Sequence, residues 1–417
     1  MNKQNFFSAT KLTDFLKCGH IIYNDFFEKE KNLKKIEISN YQKIRLIKGD
    51  EHEDNCLKLF RNKYSKIIDI KNLKFPENDN YENIINLKID KTIQSMKKGV
   101  EVIRGGWLKR DNWRGEIDFL VKNNEIKSNL GNYSYDVIDA KNSIKSKPEH
   151  IIQLGIYAFM LESFQGRLPS KLKVALKNNY FYEMNTDEIY DLFLNFKNKY
   201  EIFVNNNIND SRPEKVSFCN ICRWADECEK IWIKNDDLNQ VIGVNKVQKN
   251  KLFDLGINTM NNLSKKDENI TLKGFNKSTS KKIILQSKLQ QNSIKLNKNS
   301  WVINNENIKD PYKGFNLLNK PSKCDLYFDM ESVEDHIISG GLEYLFGIFY
   351  IENDIKKFVP FWSHNKEDEK KSLIKLFDFF ENHFKKFPDS KIYHYNHYEI
   401  TALSKLTYIH NIKIEKF

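Results

Sequence analysis

The stretch YSYDVIDAKNSIKS, residues 133–146, decides the fold. It reads as a β-strand with Asp139 and Lys141 two positions apart, so both side chains project from one face. Upstream, GGWLKRDNWRGEIDFLVKN, residues 105–123, reads as a β-hairpin whose second strand carries Asp118 among apolar residues. Placed on a neighbouring strand, Asp118 joins the pair. Two carboxylates and a lysine at a strand end would bind a hard divalent cation through oxygen and leave an amine to orient or deprotonate a water. That is the chemistry of phosphodiester hydrolysis. A single Asp-x-Lys pair is a common surface occurrence, so the weight falls on the motifs around it.

Two helical patterns flank these strands. IRLIKGDEHEDNCLKLF, residues 44–60, carries His52, and EHIIQLGIYAFMLESFQG, residues 149–166, carries Gln153 and Tyr157 one turn apart on one face. The ordered series His, Asp, Asp-x-Lys, Gln-x-x-x-Tyr resembles the RecB-like branch of the PD-(D/E)xK nuclease superfamily. The resemblance implies that His52, Asp118 and Asp139 bind Mg or Mn and that Lys141 serves the attacking water. It also implies that Gln153 and Tyr157 contact the DNA backbone. The residue before Ala140 is Asp where many members have Glu, a variation that the superfamily's name allows.

FCNICRWADECEKIW, residues 218–232, gathers Cys219, Cys222 and Cys228 in a chain with six cysteines. Three thiolates are too few for a closed tetrahedral zinc site and too close together for a disulfide framework. A distant partner is implied, with Cys18, Cys56 and Cys324 as the candidates. Some RecB-like nucleases, including AddB-type helicase-nucleases and several CRISPR-associated ones, hold a four-iron, four-sulfur cluster with one early Cys and three after the nuclease core. By that resemblance the fourth ligand is Cys18, in SATKLTDFLKCGHIIY (residues 8–23), on an early helix. Such a staple would close a loop on the order of 200 residues, worth about 4 or 5 kcal/mol in the chain-entropy model. Zinc on the same four thiolates is the competing reading. Cys56 and Cys324 are expected to be buried free thiols.

The composition suits these readings. A chain of 417 residues, 40% hydrophobic and 13% aromatic, has room for two or three globular domains, and its net charge of +12 favours an anionic partner such as nucleic acid. A solvated basic surface is the plainer account of that charge, since Lys, Asn and Ile are abundant throughout. The opening residues contain no apolar signal-peptide core, and no segment approaches the roughly 20 apolar residues of a membrane span. A cytoplasmic, reducing location is expected, in which cysteines serve as metal ligands or core residues.

The chain divides into a nuclease region at 1–235, a helical region at 236–291, a polar linker at 292–322 and a β-rich region at 323–417. The helical region resembles tandem helix-hairpin-helix modules, whose tight turns offer backbone N–H groups to a phosphate. In IGVNK and KGFNKSTSKK the usual second glycine is Asn245 or Asn276, residues that tolerate positive φ; plain structural hairpins are the alternative. The last region resembles an RNase H-like, DEDD-type exonuclease fold. Asp329 and Glu331 in LYFDMES and Glu399 in IYHYNHYEITAL would supply acidic ligands for two metals. The remaining acidic motif of that family would lie beyond Phe417, so this domain is expected to be truncated and its site incomplete.

The expectation is therefore an α/β protein with a PD-(D/E)xK restriction-endonuclease-like core, a small helical hairpin region and a partial RNase H-like domain. Over nearly its whole length it resembles bacterial RecB-like nucleases with an appended RNase H-like domain, sometimes fused to a helicase. The resemblance implies a metal-dependent DNA nuclease acting on single strands or ends in repair, recombination or defence. A non-catalytic nucleic-acid-binding scaffold is the alternative, and the intact His52, Asp118, Asp139, Lys141 set argues against it. A third reading makes the C-terminal domain the catalyst.

Overall fold

The computed structural model describes residues 6–75, 80–303, 310–333 and 341–412. The chain forms two compact units, Met1–Trp301 and Val302–Phe417.

The first unit is built on a six-stranded sheet in sequence order. Its strands are β1 (Ile67–Asp69), β2 (Val102–Arg110), β3 (Trp113–Asn123), β4 (Ser134–Ala140), β5 (Lys171–Ala175) and β6 (Phe181–Asn185). β2, β3 and β4 form an antiparallel meander, as the hairpin reading expects, while β4 and β5 run parallel. A parallel pair needs a crossover, supplied here by α5 (Pro148–Gln165). Pro148 opens this helix and Gly166, at φ +72°, closes it. Leu154, Ile156, Ala158, Met160 and Leu161 are fully buried, so α5 forms the core on one sheet face. Helix α6 (Tyr190–Ile202) approaches α5 closely because residue 155 is glycine; a Cβ there would meet the Phe193 ring at 2.6 Å.

On the opposite face α3 (Asn40–Lys63) packs Cys56, Leu57 and Phe60 against Phe119, Val121 and Ile138. Helix α4 (Tyr81–Lys97) lies against β2. The helices α1 (Ala9–Lys17) and α2 (Gly19–Phe27) are separated by one residue, Cys18, which is extended at φ −165° and ψ 117°. Cys18 thus stands in a break between helices and not on one.

The helical region belongs to the first unit but has its own small core of Leu238, Val241, Leu252, Ile257, Leu263 and Ile284. Helix α7 (Ala225–Lys234) precedes it, and α8 (Lys246–Asp254), α9 (Met260–Ser264) and α10 (Lys277–Leu296) form it. The expected role of the two asparagines is corrected here. Gly243 (φ +86°) and Gly274 (φ +82°) make the turns. Asn245 (φ −97°) and Asn276 (φ −80°) are N-caps that accept from the Gln248 and Thr279 amides. An asparagine oxygen satisfies an orphan helix donor without a left-handed backbone.

The second unit has a four-stranded sheet ordered β10-β7-β8-β9, from β7 (Leu326–Val333), β8 (Leu342–Glu352), β9 (Ile355–Trp362) and β10 (Ile392–Tyr393). Helices α11 (Lys366–Lys386) and α12 (Tyr398–Ile409) cover one face through Leu373, Leu376, Phe380 and Leu406. Both units are thus mixed α/β. No described helix is long and apolar enough to cross a membrane.

Candidate active site

The paired backbone of β3 and β4 ends at Phe119 opposite Ile138. One step further, the same register sets Asp118 opposite Asp139, and there the ladder gives way to a side chain: Asp118 Oδ2 accepts the Ala140 amide at 2.7 Å. The β2–β3 ladder also skips this level, lacking the pair between Arg104↔Phe119 and Gly106↔Ile117. The residue facing Asp118 from β2 is Gly105, at φ +64°, where a Cβ would come within 2.7 Å of the Lys71 backbone nitrogen. The backbone is therefore opened on both sides of Asp118.

Alternation places Asp118 and Asp139 on the α5 face, in phase with Leu120 and Val137. Asp139 is fully buried. Its Oδ1 accepts from Gln153 Nε2 at 3.1 Å, and that same amide nitrogen donates to the Tyr157 hydroxyl at 2.7 Å. Lys141 Nζ stands 2.7 Å from Asp139 Oδ2 as an ion pair, although no hydrogen-bond donor is in line with that buried oxygen. Gln153 and Tyr157 thus turn inward to the carboxylate, with Tyr157 only 5% exposed.

Burial and the neighbouring Asp139 hold the Asp118 carboxyl well above the ordinary aspartate range, against the pull of Lys141. Burial likewise raises Asp139, opposed by Lys141 and by a hydrogen bond with Asp118. For Lys141, burial disfavours the charge, but Asp139 and Asp118 outweigh it and keep the ammonium firmly protonated.

His52 is nearby yet turned away: its Nε2 lies 2.9 Å from the Ala175 carbonyl oxygen and 3.8 Å from Cys56 Sγ. The next residue, Glu53, is buried and acts electrostatically on Asp118, Asp139 and Lys141. Glu53 Oε1 accepts from Arg104 Nε at 2.8 Å and Oε2 from Lys71 Nζ at 2.6 Å. Arg104, 3% exposed, also reaches Asp54 and Asp69. Sequence reading missed this group. The signal was a lone arginine inside the apolar run of β2, since a buried guanidinium requires carboxylate partners.

Among the described residues, no three His, Cys, Asp or Glu side chains are gathered closely enough to hold one metal ion. The Asp118–Asp139 pair nevertheless has donor chemistry that suits a hard cation: two neighbouring carboxyls, Asp139 fully buried, whose only facing cation among the described residues is Lys141.

The cysteines fall into two groups. The Cys18 and Cys222 thiols are raised first by burial, with nearby cysteines adding to it, and the Cys228 thiol is pushed up to about 12, first by burial and then by Cys18, Cys222 and Cys219. Cys18 and Cys222 share a core with Ile21 and Trp224. Arg223 ties the same segments together by pairing with Asp14 (3.0 Å) and Asp25 (2.6 Å). Cys56 instead lies beside His52, and Cys324 is buried in the second unit.

In the second unit Asp329 and Glu331 project from the exposed side of β7, and Asp329 Oδ1 accepts its neighbour Met330's amide at 2.9 Å. Glu399 is 3% exposed and sits 3.3 Å from His394 Nδ1.

A model of the RNase_H superfamily matches residues 326–416, from the first strand of the second unit through its last helix. None of the curated proteins compared matches the chain. The C-terminal region is thus RNase H-like, a fold that generally hydrolyses nucleic acids, and it supports a nuclease-type role.

Proposed function

We propose that the chain is a Mg- or Mn-dependent deoxyribonuclease of the RecB-like PD-(D/E)xK type, acting on single strands or DNA ends. The observation that carries the reading is the placement of Asp118 opposite Asp139, with the Lys141 ammonium 2.7 Å from Asp139. Asp118 and Asp139 would hold the cation, and His52 would join them by turning from the Ala175 carbonyl. The bound cation would polarise the phosphate and acidify a water. The Ala140 amide and Gln153 fix the two carboxylates, which limits rearrangement when the substrate arrives. Lys141, held charged, orients the water and offsets negative charge developing on the phosphate. A helicase domain or subunit is the partner that the resemblance implies.

The electrostatic influence of the thiols on one another supports reading Cys18, Cys219, Cys222 and Cys228 as the ligands of a four-iron, four-sulfur cluster, with zinc as the alternative, although they are not drawn together around one ion here. Ligation would replace the thiol protons that this crowded, buried setting retains. The cluster would staple the two ends of the nuclease region.

The match at 326–416 favours a second reading, in which the RNase H-like region cuts. The two are separated by assaying labelled single-stranded, duplex and flapped DNA with Mg or Mn, using wild type, Asp139→Ala and Asp329→Ala. Cleavage that survives Asp139→Ala and fails in Asp329→Ala would favour the second.

A further inference from the structure

Beside the Asp118–Asp139 pair opens a cleft of about 1060 Å³, bounded by the N-terminal segment, the start of α4 and the β2–β3 hairpin. Trp107 and Lys109 of β2 and Arg114 and Glu116 of β3 share one face of the hairpin and line this cleft. Tyr157, which shares Gln153 with Asp139, lines the same cleft. Tyr157 and Gln153 thus connect the cleft wall to Asp139.

Its charge pattern is unusual for an interior wall. Lys109 and Arg114 are directly opposed across the two strands, an arrangement of like charges that weakens a sheet. Both also lie over one ring, that of Phe6, at 4.7 and 4.0 Å from its centroid. Lys11 is a third cation on the same wall. Opposing them, Glu82 takes Arg114 in a two-pronged pair (2.5 and 2.9 Å), and Glu116 accepts the Trp107 indole N–H at 2.8 Å. Tyr81, 63% exposed, and Trp107 add further rings. Cations clustered at a cost in stability, interleaved with ring faces, match a chain of phosphates carrying unpaired bases. A stacked duplex would offer the phosphates but withhold the base faces.

We propose that this cleft binds single-stranded DNA, with Lys11, Lys109 and Arg114 on phosphates and Tyr81 and Trp107 against bases, and leads the strand to Asp118 and Asp139. The direction of the strand rests on reading that pair as the cleavage centre; binding in the cleft does not.

The test is fluorescence anisotropy of a labelled single-stranded oligonucleotide with the full chain in EDTA, where no cleavage is needed. Wild type, Tyr81→Ala, Lys109→Ala/Arg114→Gln and Asp139→Asn are compared across a salt series, with thermal melting as a control for folding. Tyr81→Ala removes an exposed ring and should bind about five-fold more weakly or worse. The double variant should lower the slope of log K against log salt by about 1.4, two contacts at about 0.7 each. Asp139→Asn should bind like wild type. An unchanged affinity and slope in both cleft variants would overturn the proposal, even if Asp139→Asn abolishes cleavage. Equal losses for a blunt duplex of the same sequence would also overturn it, because stacking on unpaired bases could not then be the source. If the cleft variants lose binding but Asp139→Asn still cuts, the cleft stands and the catalytic reading falls.

Discussion

Glu53 and Arg104, 51 residues apart, meet in the interior with Glu53 Oε1 2.8 Å from Arg104 Nε. The pair joins α3, which carries His52, to β2 immediately before the glycine that faces Asp118. Removing one partner strands the other's charge in a low-dielectric site, which costs about 3–5 kcal/mol. Glu53→Gln and Arg104→Met should each show a loss of that order in urea denaturation. The double variant should lose less than the sum. Strict additivity would mean that the two residues act independently.

Much of this site was legible in the sequence. Period two in the stretches around Asp118 and Asp139 is enough to put three reactive groups on one sheet face, and Pro148 with Gly166 marks the ends of the helix that covers them. The Glu53–Arg104 pair was hidden because nothing local in DEHED distinguishes a buried glutamate from a solvated one. Strand β9 was hidden because Lys356, Lys357 and Pro360 blunt its apolar pattern, as suits an edge strand. Cys18 was read as helical because apolar periodicity runs on through both flanking helices. Asn245 and Asn276 were misassigned because asparagine serves equally as a turn residue and as a helix cap.

His150 should make stability fall in mild acid. Burial, then Lys141, lowers its pKa from the ordinary 6.5 to about 4, Glu149 opposing and Lys147 adding. Its Nδ1 accepts the Lys147 amide at 3.2 Å, a cap that needs a neutral ring, and a charged ring at a helix N-terminus is also unfavourable. Between pH 6.5 and 4 the unfolded chain binds a proton that the folded chain refuses, so stability drops as pH falls through that window. At pH 5 the loss attributable to His150 should be about 1 kcal/mol after allowance for solvent screening. His150→Gln, which keeps an acceptor, should flatten the decline measured by denaturation at pH 7 and pH 5; an equally steep decline would remove His150 as its source.

Anaerobically purified protein should be brown, absorb broadly near 400 nm by thiolate-to-iron charge transfer, and contain iron (on the order of four per chain). Cys18→Ser should bleach it and lower both the melting temperature and the cleavage rate. Cys56→Ala and Cys324→Ala should do neither. A colourless preparation holding one zinc per chain would replace iron with zinc on the same four thiols, and metal loss on changing Cys56 would exclude Cys18 as the fourth ligand.

The most direct measurement is the initial rate of Mn-dependent cleavage of labelled single-stranded DNA by wild type, Asp139→Asn, Lys141→Met and Asp329→Asn. With the catalytic centre at Asp118 and Asp139, the Asp139 and Lys141 variants should fall by about three orders of magnitude, roughly 4 kcal/mol of transition-state stabilisation, while Asp329→Asn cuts like wild type. Undiminished cleavage by Asp139→Asn, or its loss in Asp329→Asn alone, would contradict the account.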